Sequence, residues 1–279
     1  MRTGTLALAD ATLSHDVVIG GTATLSDIGV MDETDEVVIG DRHQMAGTAT
    51  LSIAAGAVYR LDTGDGIFAR GRTSLRKPDI VNDGLLIRAA GAGGSSISAT
   101  ILNNGTIEAA VGYLNIRAVT GAGSMLIDPG ATLSVGIARA SLGLTFNGAD
   151  ATLTIGSDAK FAATISGFAP TDTIYLVGKT ADAAALGPGD TLVITNGAAT
   201  VATFQLAGDY SAATFNVASN GHGGTLLTVS FPGAPPAASF IAAMAGLGAG
   251  GHAPAPAWAS SHADACRPML LAPGSTHFA

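Results

Sequence analysis

At 279 residues, 47% of them apolar, the chain is long enough for one extended repeat domain or two compact ones and can bury a core, which excludes a disordered protein. Ala, Val, Leu and Ile supply that apolar fraction, while aromatics stand at 5% and glycine at 38 residues, a palette of small side chains that suits thin, closely stacked layers. Charged residues make up only 12% and the formal net charge is −8, which argues against a nucleic-acid partner, because phosphate binding draws on clustered Lys and Arg.

The N-terminus carries no ordinary targeting signal: Met1-Arg2 leads into Thr-Gly-Thr-Leu-Ala-Leu-Ala-Asp without a continuous apolar stretch. Nowhere does an apolar run reach the length of a membrane-spanning helix, so no transmembrane segment is expected. The chain instead runs on as a series of echoes. Val17-Val18-Ile19-Gly20 returns as Val37-Val38-Ile39-Gly40 after 20 residues. Ile80-Val-Asn82-Asp83-Gly84 returns as Ile101-Leu-Asn103-Asn104-Gly105 after 21, and Ala131-Thr-Leu-Ser-Val-Gly136 returns as Ala151-Thr-Leu-Thr-Ile-Gly156 after 20. The phrase Ala-Thr-Leu-Ser/Thr begins at Ala11, Ala23, Ala49, Ala131 and Ala151, and Gly-Thr-Ala-Thr-Leu-Ser is duplicated whole at 21–26 and 47–52. Recurrence at a fixed interval is the mark of stacked units.

Within each repeat, runs of four to six residues alternate apolar with Thr or Ser and end on Gly, Asn or Asp, which reads as strand rather than helix. Aspartate outnumbers glutamate eighteen to three, in keeping with Asp bonding to its own turn backbone. The fold expected is all-β: a parallel β-helix (β-solenoid) with coils of about 20 residues over 1–160, strands of successive coils pairing about 4.8 Å apart, aliphatic side chains inside and Thr/Ser ladders outside. A β-sandwich is the competing architecture. The acids between Asp27 and Asp41 and the basic run Arg70-Gly-Arg72-Thr-Ser-Leu-Arg76-Lys77 read as solvated faces.

From Phe161 the texture changes, and most of the phenylalanines lie here or beyond. Strand candidates near 191–195, 199–206, 213–218 and 225–230 make 161–231 a β-rich segment that continues or caps the solenoid, whose last coil would otherwise leave an open edge. The remainder, 232–279, is rich in Ala, Gly, Pro and His and reads as a flexible tail, with a short helix at 237–247 placing Phe240, Ile241, Met244 and Leu247 on one face. Cys266, the only cysteine, lies there, so neither a disulfide nor a cysteine zinc site is expected.

Three phrases carry a family resemblance: Asn-Asn-Gly-Thr-Ile-Glu-Ala at 103–109, Gly-Ala-Gly-Ser-Met-Leu-Ile-Asp-Pro-Gly-Ala-Thr-Leu at 121–133, and Ile-Ser-Gly-Phe-Ala-Pro-Thr-Asp-Thr-Ile at 165–174. Over most of residues 80 to 230 the chain resembles large alphaproteobacterial repeat proteins with autotransporter-passenger-like or adhesin-like β-helices. The resemblance implies an extracellular or cell-surface location and a passive, adhesive or structural role, and it carries no catalytic residues across. Two departures stand out: no translocating membrane barrel follows, and the repeats start within a dozen residues of Met1, so that the chain reads as a fragment or as a short member exported by a signal outside its N-terminus.

Two other chemistries compete with that reading. A polysaccharide-acting β-helix enzyme would need paired carboxyls, and the sequence offers only Gly221-His222-Gly223, without the Asn-Thr-Asp, Asp-Asp or Arg-Ile-Lys elements that accompany such a motif in polygalacturonases. Read alone it is a hairpin turn, and only a groove joining two carboxylates to Arg88 or Arg117 would favour catalysis. A calcium-stabilised β-roll would need Gly-Gly-x-Gly-x-Asp nonapeptides, to which Gly64-Asp65-Gly66 and Gly187-Pro188-Gly189-Asp190 are the nearest approaches. His252, His262 and His277 reflect tail composition. The sequence therefore assigns no catalytic, cofactor-binding or metal-binding residue, and the expected partners are surface or matrix components or further copies of the chain.

Overall fold

A computed structural model of the chain describes residues 49–62, 66–69, 78–91 and 93–232, together with the strands Thr5–Leu8, Ala11–Leu13, Val17–Ile19, Thr22–Leu25, Val30–Glu33 and Val37–Ile39. The tail with its expected helix at 237–247, the basic run 70–77, Cys266 and the three tail histidines lie outside the described residues.

Each coil lays short strands on three faces. Eight strands succeed one another in parallel on the second face, Ala11–Leu13, Val30–Glu33, Val58–Leu61, Leu85–Arg88, Thr106–Ala109, Ser124–Ile127, Gly143–Phe146 and Thr164–Ser166. From Leu85 the register steps to Thr106, Ser124, Gly143 and Thr164, intervals of 21, 18, 19 and 21 residues. Parallel pairing at these intervals makes the chain a β-solenoid and excludes the sandwich, in which strands would run antiparallel.

The first face (Thr5–Leu8, Thr22–Leu25, Thr50–Ile53, Ile80–Asn82) and the third face (Val17–Ile19, Val37–Ile39, Gly66–Ala69) begin as separate strands and then fuse. From Gly94–Asn103 onward one long strand bends round the corner to serve both, as do Tyr113–Gly121, Thr132–Ala138 and Thr152–Phe161. The bends fall at register shifts, between Ile97 and Thr100 and between Val135 and Ile137, where one strand carries one extra residue in the first case and three in the second and turns its direction.

Alternation along each strand fills the interior. On the second face Tyr59, Leu86, Ile107, Met125, Leu144, Ile165 and Leu206 lie opposite one another coil by coil, all buried. Each such side chain taken fully out of water contributes roughly 1.5–3 kcal/mol, and the column repeats on every face. At the corner after the first face Asn82 and Asn103, both fully buried, form a short ladder: the Asn82 amide donates to the Asn103 side-chain oxygen at 2.7 Å and the Asn103 amide to the Ser124 carbonyl at 2.9 Å. Outside, hydroxyls stack as expected, with Thr106 and Ser124 3.2 Å apart and Thr145 and Ser166 2.8 Å apart.

Parallel stacking persists through Thr173–Leu176. After it, Thr225–Ser230 pairs antiparallel with Thr173–Leu176, and Thr214–Ser219 pairs antiparallel with Thr225–Ser230. Ala199–Ala207 adds in parallel to Thr164–Ser166, and Thr191–Asn196 and Ala183–Gly187 follow antiparallel. These hairpins hydrogen-bond to the edges of the last coil. Phe146 with Phe168 (5.3 Å) and Tyr210 with Phe215 and Phe231 (6.1 Å each) fill the space beneath them. All of this belongs to one compact unit, Met1–Pro232.

Candidate functional site

The residues that the sequence raised as chemical candidates do not converge. Gly221, His222 and Gly223 form the hairpin turn between Thr214–Ser219 and Thr225–Ser230, as read from the sequence, with His222 exposed. The Asn220 side-chain oxygen accepts from the His222 and Gly224 backbone N–H groups, 2.8 Å each, which fixes the turn. Gly187 to Asp190 end a strand in a single 3-10 turn over Pro188–Asp190, with Gly189 and Asp190 at positive φ (66° and 57°). Gly66 lies in a strand, while Gly64 and Asp65 lie outside the described residues. Among the described residues no group of three His, Cys, Asp or Glu could hold a metal ion.

Arg88 and Arg117 separate. Arg88 points into the core at full burial, its guanidinium donating to the Leu61 carbonyl (2.9 Å) and the Gly91 carbonyl (3.3 Å). Burial lowers its pKa, and nearby Asp62 counters the shift in part. It ties one coil to the next and cannot meet a ligand. Arg117 instead lines a cavity of about 460 Å³ on the outer bend of the fused strands, with Phe68, Ser96, Ser98, Asn115 and Ser134, and no carboxylate is among the lining residues.

A pair of acids does meet in space, which the sequence reading did not foresee. Glu108, on Thr106–Ala109, shares a hydrogen bond with Asp128, the residue that follows the strand Ser124–Ile127 of the next coil. Partial burial raises the Glu108 pKa, and the Asp128 charge and the hydrogen bond raise it further. Glycoside hydrolysis holds its two carboxyls about 5 Å or more apart so that a sugar bond or water fits between them. Carboxyls in direct hydrogen-bond contact leave no such room. Asp172, buried in the turn before Thr173–Leu176, accepts from the Ala151 (3.0 Å) and Ala169 (2.9 Å) N–H groups. Burial pushes its carboxyl up, those two bonds pull it down, and Asp150 adds to the upward shift. Tyr210, raised by burial, donates to the Phe168 carbonyl at 3.2 Å. Asp172 holds a turn of the stack, and Tyr210 ties the capping segment to it.

A second cavity, about 430 Å³, opens where the first face runs out. Thr152–Phe161 is overlaid by Thr173–Leu176 across residues 152–155, but its far end pairs only with Ile137 and Ala138 below. Ile137 and Phe161, both half-buried, give it an apolar floor, with Ile155 and Leu176 buried behind, and Val201 to Phe204 line it as well. Arg139, Lys160 and Lys179 also line it, two of the chain's three lysines in one place. They are 21 and 19 residues apart, one coil each. That interval is the signal by which the sequence could have revealed the cluster, as the 20 residues between Glu108 and Asp128 could have revealed the acid pair. No protein-family model matches the sequence, and no curated protein matches it.

Proposed function

We propose that the chain is a non-enzymatic secreted or cell-surface repeat protein with an adhesive or structural role, touching surface or matrix components or further copies of itself. One observation carries this reading. Four pairs of polar side chains on the outer faces are spent on one another, coil to coil: Thr106 with Ser124, Thr145 with Ser166, Asn104 with Asp83 (2.8 Å) and Asn147 with Asp128 (2.8 Å). A catalytic site instead gathers groups of perturbed pKa about a reacting position. Here the buried groups with shifted pKa, Arg88, Asp172 and Tyr210, hold backbone, and Glu108 is occupied by Asp128. Outer faces set by such ladders are rigid and repetitive, which favours contact over an area rather than turnover at a point.

The test is antibody labelling of intact, non-permeabilised cells that make the protein, paired with retention of beads coated with the full chain on the same cells. Label on intact cells and retained beads are expected. Label that appears only after lysis would overturn the reading.

A further inference from the structure

We propose that the groove lined by Arg139, Lys160 and Lys179 binds an acidic saccharide, a carboxylate-bearing sugar whose ring lies on the apolar floor. Charge points to an anion. Like charges on neighbouring coils repel, and among the described residues no hydrogen bond or ion pair engages any of these three cationic heads. No Asp or Glu lines the groove, in a chain whose net charge is −8. Three cations that share one lining with no carboxylate have their complement in an anion from solution.

The floor decides what kind of anion. An inorganic ion would need the cations alone, whereas the half-buried Ile137 and Phe161 offer apolar surface beside them. Phe161 is half-buried and meets Phe204 edge-on at 6.0 Å, so its ring is braced by its neighbour. A pyranose presents both features at once, a C–H face for the floor and carboxylates for the ammonium and guanidinium groups. About 430 Å³ falls in the range of small-molecule sites. Nucleic acid fits less well, since its dense phosphate charge meets an acidic protein with a cluster of three cations.

An acidic saccharide gives the binding role proposed above a chemical class of partner, and the groove rests on that role only for its setting. Calorimetric titration of the full chain with trigalacturonate should show binding that weakens as salt is raised. The uncharged trimethyl ester should bind at least tenfold more weakly, and Lys160→Gln and Lys179→Gln should each cost about tenfold, the effect of a hydrogen bond to a charged group. Lys160 is exposed, so its variant keeps the fold, and thermal melting verifies that. Arg60→Gln, which removes a cation paired with Asp62 and absent from the groove lining, should leave affinity unchanged. Equal binding of acid and ester, unaltered binding by both lysine variants, or displacement of the sugar by a single-stranded oligonucleotide would each overturn the inference. Loss of binding with surface labelling intact would sink the groove alone. Breakdown of the probe would sink the non-enzymatic reading and leave the groove standing.

Discussion

Glu108 and Asp128 are acids that the coil brings together at a cost. Partial burial and the neighbouring charge raise the Glu108 pKa above its unfolded value, so the folded state holds its proton more tightly. Stability therefore falls as pH rises from the ordinary carboxylate range through the raised value, and the penalty is complete above it. Glu108→Gln removes the charge and keeps a donor for Asp128. It is expected to raise the melting temperature at pH 7 by up to about 2–4 °C, corresponding to the roughly 1 kcal/mol ceiling of a partly solvated charge pair. In acid below the carboxylate range the gain should vanish, and calorimetric melting at the two pH values checks both. An equal effect at both would assign the change to packing. The 20-residue spacing of the pair is visible in the sequence, but not that it brings these two side chains together. Intervals between coils vary from 18 to 28 residues along the eight stacked strands of the second face, and the register partner of Glu108 is Leu126, so no single period fixes which side chains meet.

At the scale of the element, the Asn-x-Gly corner shows what the echoes did and did not contain. Ile80, Val81 and Asn82 pair with Ile101, Leu102 and Asn103, Val17 to Ile19 with Val37 to Ile39, and Thr132 to Val135 with Thr152 to Ile155. Those three echoes are the register itself. The duplicated hexapeptide is not, for Ala23 faces Leu51 and Leu25 faces Ile53, two residues out of step with the repeat. A slip of two keeps every side chain on its own face, so composition tolerates it and only the strand pairing reveals it. At the corner, identity is strict. A Cβ built on Gly105 would lie 2.1 Å from the Gly84 carbonyl oxygen, and one on Gly123 would lie 2.3 Å from that of Gly105. Three successive coils thus touch backbone to backbone beside the buried asparagines. Gly105→Ala must push two coils apart and is expected to destabilise by about 3 kcal/mol or more, the upper range for a buried overpacking change. Gly143→Ala, where nothing lies within 4 Å of the added carbon, should cost no more than about 0.5 kcal/mol. Urea midpoints of the two variants measured side by side decide the matter, and similar losses in both would refute a steric origin.

The whole stack is governed by how it ends. A parallel coil offers its unpaired backbone to any further strand, which invites edge-to-edge association. The phenylalanine-rich texture that begins at Phe161 marks the approach to that end, yet parallel stacking continues to Leu176 before the strands reverse. Texture leads topology because larger side chains already fill the last coil, where Phe146 meets Phe168 and Phe161 meets Phe204. Leu227 is the buried centre of the closing strand, paired with Ile174. Leu227→Ala deletes that contact at a cost of about 2–5 kcal/mol. In a stacked array each coil touches only its neighbours, so the loss should stay local. Hydrogen exchange is therefore expected to quicken over 173–176 and 225–230, and to change far less at Thr106–Ala109, three coils below the end of the second face. A uniform rise along the chain would mean that the coils unfold together, with the end setting the stability of the whole stack.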